Sequence, residues 1–184
     1  MTWIDVVGVL LIVGYGVGGF FTGVLRRLIG FIALYVALLA ATHMGLQAGG
    51  ILQQTSNFEV SDGRIYGFFG LVIAVLVIVE GATQLAHGQI QIPALALNRT
   101  FGVIVGLITG VVLAVVSTYE LGAAGNPIGG TTVDPLQLNI RGAYNGSHVI
   151  VPFVSKIQKP VIAVFQPVLP GDPQIYFGPG PVSP

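Results

Sequence analysis

Long apolar runs dominate the first two thirds of the chain. Three of them, 6–25, 28–46 and 100–119, carry no charged residue. Each is long enough for a helix to cross a hydrocarbon layer of roughly 30 Å at about 1.5 Å per residue. A fourth run, 65–79, reaches that length only by continuing through Glu80 to about residue 85. The pattern predicts an all-α integral membrane protein, a four-transmembrane-helix bundle with spans at about 4–25, 28–46, 65–85 and 100–119.

The composition changes near residue 120. Ten of the eleven prolines lie beyond that point, and Lys156 and Lys159 interrupt the apolar stretch 147–169. Proline inside a helix and lysine inside a bilayer are both costly, which argues against a fifth span. We therefore predict two parts: a transmembrane domain, 1–120, and a Pro-rich, mostly irregular extramembrane tail, 121–184. Five apolar tail residues follow helical spacing and are predicted to cover the membrane interface or a neighbouring protein: Val149, Ile150, Phe153, Val154 and Ile157.

Charge is sparse and balanced, with seven basic and seven acidic residues and no cysteine. Nucleic acid is therefore not an expected partner, and disulfides and thiolate metal sites are excluded. Arg26 and Arg27 lie between the first two predicted spans, and Arg99 precedes the fourth, on the same side of the membrane. The positive-inside rule places that side in the cytoplasm and both termini outside it. Trp3 suits an anchor at the membrane interface.

Polar residues at the predicted helix starts suggest capping. Thr2 and Asp5 have the spacing of a capping box, Ser61 or Asp62 can cap the third helix, and Asn98 can cap the fourth.

Glycines recur at intervals of four. This spacing places small residues on one helix face, where they allow the close backbone approach that helix association in lipid requires. We predict packing within the bundle, with a seam between copies as the alternative, at Gly14, Gly18, Gly19, Gly23, Gly102, Gly106 and Gly110. A nucleotide-binding glycine loop is rejected, because these glycines lie within an apolar span and follow no strand.

Four short motifs follow one another along the chain: Trp3-Ile4-Asp5, Gly23 with Arg26, Ala41-Thr42-His43, and Leu97-Asn98-Arg99-Thr100-Phe101-Gly102 with the glycines after it. This pattern resembles the colicin V production protein (CvpA) family. It covers about residues 1–120 and implies a small bacterial inner-membrane protein connected with toxin production or export and envelope homeostasis. Asn98 stands where the family usually has aspartate, and Thr22 and Thr109 stand where basic residues are common.

Three residues are candidates for chemistry within or beside the spans. Glu80 is the acid predicted inside a span, where it either reaches headgroups and water or relays a proton. His43 and His87 are alternatives as polar anchors at the interface or as ligands of a haem or pigment. No cofactor and no metal site is predicted, since neither histidine has a second ligand at metal spacing. Lipids are the expected small-molecule partners.

These observations predict a non-enzymatic membrane protein that acts in toxin production or export, or as a scaffold or assembly module. Its partners are expected to be membrane proteins, bound through the glycine faces and through the tail 121–184. The first alternative is an accessory subunit of a large bioenergetic or photosynthetic complex, docked by that tail. The second is a small transporter or channel, which would need polar groups along a path across the bilayer.

Overall fold

The computed structural model describes residues 1–56, 58–86, 95–129 and 134–180. Within these ranges the regular structure is helical, with no strand. The elements are α1 (Trp3–Ser56), α2 (Val60–Ala86), α3 (Leu95–Ala124), α4 (Pro135–Asn145), α5 (Ile150–Phe165), a 3-10 turn (Gln166–Val168) and α6 (Pro173–Tyr176).

Helix α1 is a hairpin, because the chain reverses at Gly23. A straight helix would hold Tyr15 and Arg27 about 18 Å apart along its axis, yet the Arg27 guanidinium lies 5.1 Å from the centre of the Tyr15 ring. Gly23 has φ 77° and ψ 175°, outside the helical region. The turn was predicted at Arg26 and Arg27; it forms three residues earlier because glycine tolerates a positive φ. We call residues 3–22 the first arm and residues 24–56 the second arm.

Helices α1, α2 and α3 are each long and apolar enough to cross a membrane, and α4 with the segment Ile150–Val168 passes the same test only as a pair bent by 91°. The described part of the chain thus contains three to four candidate spans when α1 is counted as one helix. Large apolar side chains such as Leu10, Phe21 and Ile78 are exposed on the long helices. Exposed apolar surface of this extent suits contact with lipid.

The helix boundaries differ from the predicted ones. The second arm continues from the predicted end at 46 to Ser56, and α3 extends past 119 to Ala124. Since α3 begins at Leu95, Asn98 lies inside it and does not cap it, contrary to the prediction. Ser61 and Asp62 likewise lie within the first turn of α2, which begins at Val60.

The prediction of a mostly irregular tail is wrong for residues 134–180, which form α4, α5, the 3-10 turn and α6. At three positions proline is compatible with the helix, because Pro135 and Pro173 are first residues of their helices and Pro152 lies in the first turn of α5. Backbone amides in a first turn have no acceptor within the helix, so proline loses nothing there. Pro160 lies inside α5 and removes one backbone hydrogen bond there, so α5 forms in spite of it.

The tail helices pack on the bundle. One buried apolar cluster joins the second arm, α2 and α3 to α6 and includes Leu34, Phe68 and Val116. A second cluster joins the first arm and α3 to α4 and α5, where Ile150 and Val154 are buried. Val149 and Phe153, two of the five tail residues predicted from their helical spacing, are exposed. The buried residues of that set, Ile150 and Val154, therefore pack on this chain's own bundle.

Candidate functional site

Three charged side chains meet where the hairpin turn approaches α2. Arg27 Nη1 lies 3.1 Å from Glu80 Oε1, and Arg26 Nη2 lies 3.3 Å from Glu80 Oε2. Arg26 Nη2 also donates to the Glu80 backbone carbonyl at 3.0 Å. The side chains are 9–25% exposed, and the group holds two positive charges and one negative charge. Glu80 is thus a part-buried carboxylate paired with two arginines.

Arg27 is fixed by further contacts with the first arm. Its Nε donates to Thr22 Oγ1 at 3.1 Å, and its guanidinium lies over the Tyr15 ring. A Cβ at Gly18 would overlap the guanidinium. Gly18 therefore leaves room for the arginine, a different role from the predicted helix packing.

The hairpin turn is stabilised from α3. Asn98 Oδ1 accepts a hydrogen bond from the Val24 backbone N–H at 2.9 Å, so Asn98 caps the helix that starts after Gly23. A Cβ at Gly23 would collide with the Asn98 side-chain amide. These two positions from the family resemblance form one structural unit although they are far apart in sequence. Next to it, the Arg99 guanidinium lies 5.4 Å from the centre of the Phe20 ring, which places all three arginines at the same end of the bundle.

A glycine seam joins the first arm to α3. A Cβ at Gly19 would meet the backbone of Gly102, and one at Gly102 would meet the backbone of Gly19 and Gly23. Gly106 and Gly110 lie in the same way against the backbone of residues 11–16. Gly14 differs, since a Cβ added there would find nothing within 4 Å. Four of the predicted packing glycines thus form an intramolecular seam.

A second glycine seam, not predicted from the sequence, joins the second arm to α2. Gly49 and Gly63 lie against each other's backbone, and Gly67 lies against the backbone of Gly45 and Gly49. Along the chain, Gly45 and Gly49 are four residues apart, as are Gly63 and Gly67, and this spacing indicates helix packing in the sequence itself.

Asp5 ties the first arm to the tail. Its carboxylate is fully buried and accepts from the Ser147 hydroxyl, from the backbone N–H of Ile150 at 3.0 Å and from that of Val149 at 3.2 Å. It also accepts from the Thr2 backbone N–H at 2.9 Å, half of the predicted capping box. Asp5 therefore caps α5, a helix that begins 145 residues later. Trp3 contributes by donating from its indole N–H to Asn139 at 3.0 Å.

The segment 166–180, which we call the C-terminal strap, crosses the second arm and α2. Thr42 donates to the Val168 carbonyl at 2.7 Å, and Tyr176 donates to the Ala41 carbonyl at 3.0 Å. Phe177 packs edge-on against Phe68, with ring centres 5.6 Å apart. On α2, Arg64 donates to three strap carbonyls, those of residues 176, 178 and 180. Burial raises the pKa of the Tyr176 phenol, which keeps it a neutral donor at ordinary pH.

The histidines show no ligand geometry within the described residues. His43 is exposed, with Nδ1 3.0 Å from the Leu39 carbonyl of its own helix. His87 lies outside the described residues. Among the residues the structure describes, no group of three or more histidines and carboxylates could hold a metal ion.

Glu120 was missed because the fourth helix was predicted to end at 119. The structure carries α3 through it, and Glu120 is fully buried. Neither of its carboxyl oxygens has a hydrogen-bond partner among the described residues. The sequence contained one indication of this burial: Glu120 lies on the same helical face as the apolar residues Val116, Ala123 and Ala124, all of which are buried.

The chain matches a known protein family over most of its length. A family described as Colicin V production protein matches residues 4–134, which include the hairpin turn, both glycine seams and the Arg26–Arg27–Glu80 group. No curated protein and no solved structure matches the chain.

Proposed function

The chain belongs to the colicin V production protein family, and from this premise we propose that it is a non-enzymatic membrane scaffold that supports toxin production or export. Family membership and the long apolar helices make it a multi-pass membrane protein. The proposed location is the bacterial cytoplasmic membrane.

The observation that carries the scaffold role is the pair of glycine seams. Each brings two helix backbones into direct contact, so neither helix can gain a side chain there or slide past the other without a clash. A transporter that alternates between states needs helices that move against each other. Backbone contact along both seams favours a bundle that presents fixed outer surfaces.

For the topology we propose four spans, formed by the two arms of α1, by α2 and by α3. The end of the bundle with Arg26, Arg27 and Arg99 faces the cytoplasm, because positive charge is retained on that side. The termini and the strap then lie on the outer side.

Gly14 offers a surface for a membrane partner. Six of the seven predicted packing glycines contact this chain, whereas Gly14 faces open space on the first arm. A nearby apolar groove of about 410 Å³ lies between that arm and α3 and includes Val17, Phe20 and Leu107. A helix of a partner protein is the proposed occupant, since small residues beside an apolar groove allow close helix approach.

The test is complementation in a colicin V-producing bacterium that lacks its own family member. We expect the amount of toxin in the medium to fall when the gene for the host's own family member is deleted. Expression of the wild-type chain should restore it, and expression of the Gly14→Leu variant should not. Gly70→Leu is the control, because Gly70 on α2 also faces open space but lies away from that groove. Unchanged toxin release on deletion would refute the proposed role, and rescue by Gly14→Leu would refute the proposed surface.

A further inference from the structure

Glu120 is a buried acid with neither a counterion nor a hydrogen bond within the described part of the chain. Glu80 is paired with Arg26 and Arg27, and Asp5 accepts four hydrogen bonds. Glu120 is fully buried, and both of its oxygens lack a partner among the described residues. An isolated carboxylate in an apolar interior is so unfavourable that the group is found neutral instead. The burial of Glu120 therefore requires a bound proton.

The site lies where the strap covers the bundle. Tyr176 on α6 is close enough to interact electrostatically with Glu120. Ala123 and Ala124, one turn further along α3, share an apolar cluster with Tyr176 and Phe177. The other titratable or charged groups near this site come from several elements. Tyr119 precedes Glu120, Asp172 acts electrostatically on Tyr119, and Arg64 acts on Tyr176. Tyr144 of α4 and Lys159 of α5 line cavities together with Tyr119.

An open groove next to this region lies close to Glu120 but is not lined by it. The groove has a volume of about 490 Å³ and lies between the end of α3 and the strap, lined by Tyr119, Ala123 and Asp172 among others. Glu120 faces the apolar core on the adjacent side of the same helical turn. Pro173 and Gln174 of α6 form part of the groove wall, so α6 lies between the groove and the apolar cluster that Ala123 and Ala124 share with Tyr176.

We propose that Glu120 is a proton-binding site whose occupancy holds the C-terminal strap on the bundle. When the proton is bound, the neutral carboxyl is tolerated in the apolar core and the strap stays docked. When the proton is lost, the carboxylate needs water, and undocking of the strap supplies it. One proton leaves to solvent for each strap that opens, so a rise in external pH favours the open form.

Thiol labelling tests the coupling. The chain has no cysteine, so Val168→Cys in the buried part of the strap is a single reporter, and Gly171→Cys, at an exposed strap position, corrects for the reactivity of the thiol itself. Between about pH 6 and pH 9 we expect the ratio of the two labelling rates to rise by up to about tenfold per pH unit. Tyr176 stays protonated in this range.

Glu120→Gln removes the proton exchange while keeping the shape of the side chain. We expect its labelling ratio to be independent of pH, whereas Glu59→Gln, at an exposed glutamate, should keep the wild-type slope. A Glu120→Gln slope equal to that of the wild type would overturn the proposal, and so would a flat wild-type profile.

Infrared spectroscopy of the wild-type chain provides a test that needs no variant. Glutamate labelled with carbon-13 should shift a protonated-carboxyl band that is present at neutral pH and vanishes as the strap opens. The chain has three glutamates; Glu80 is ion-paired and Glu59 is exposed, so the band would belong to Glu120. Its absence at neutral pH would overturn the proposal.

Discussion

Adding a methyl group at Gly19 should separate the first arm from α3. The Cβ of Gly19→Ala would overlap the carbonyl group of Gly102 and the amide nitrogen of Val103. All of these are backbone atoms, so no side chain can rotate away, and the helices themselves must move. Overpacking of this kind costs about 1–3 kcal/mol.

Gly14→Ala is the matched control, on the same helix but facing open space. Alanine favours a helix over glycine by about 0.8–1.0 kcal/mol. That gain applies to both variants and cancels in their comparison. We expect Gly14→Ala to be as stable as the wild type or up to about 1 kcal/mol more stable. The free energy of unfolding of Gly19→Ala should be about 1–3 kcal/mol lower than that of Gly14→Ala.

The assay is reversible unfolding of the purified protein in mixed micelles as the fraction of denaturing detergent is raised. Intrinsic fluorescence or helix content reports the transition. Equal free energies of unfolding for the two variants would show that the backbone contact at Gly102 does not limit packing, and would refute the seam as described.

Substitutions at the polar contacts give three further predictions. Asn98→Asp should retain the cap on Val24 and unfold within about 0.5 kcal/mol of the wild type, while Asn98→Ala should lose about 1 kcal/mol; similar losses for both would contradict the capping role. Asp5→Ala should free the start of α5 and make the tail at least several-fold more sensitive to limited proteolysis, whereas Asp172→Ala should affect only the short α6; equal sensitivity in both would argue against Asp5 as the anchor. Glu80→Gln should destabilise the chain by up to about 3 kcal/mol, which is less than the loss of a partner in a fully buried ion pair because this group is partly exposed. Adding Arg27→Gln should recover part of the loss. Strictly additive changes in the free energy of unfolding in detergent would show that the two side chains are not coupled.

The sequence alone was sufficient for the class of protein and for much of its helix content. Uninterrupted apolar runs determine where a backbone can cross lipid, since every amide in a span must be paired within its own helix. The same runs, with the positions of Arg26, Arg27 and Arg99, indicated that these side chains share one end. The family was likewise readable from short motifs in order, and the match over residues 4–134 confirms it.

The helix ends and the tail were harder to predict because their determinants are not local. The number of prolines suggested an irregular tail, but Pro135, Pro152 and Pro173 lie at helix starts, where proline is neutral. Helix α5 contains Pro160 in its interior and begins where a distant carboxylate, Asp5, caps it. Asn98 resembled the cap of its own helix and instead caps the helix after Gly23. Composition cannot reveal either contact, because each partner lies more than 70 residues away.

Tertiary structure also decided the state of the acids. In the sequence, Glu80 was the intramembrane acid of interest and Glu120 lay just beyond a predicted helix end. Folding brings two arginines to Glu80, whereas Glu120 gains no partner from the described part of the chain. The energy of a charge depends on its neighbours and on its access to water, and both are set by which helices meet. Hydropathy therefore located the membrane helices, whereas only their packing showed which buried carboxyl the described residues leave unpaired.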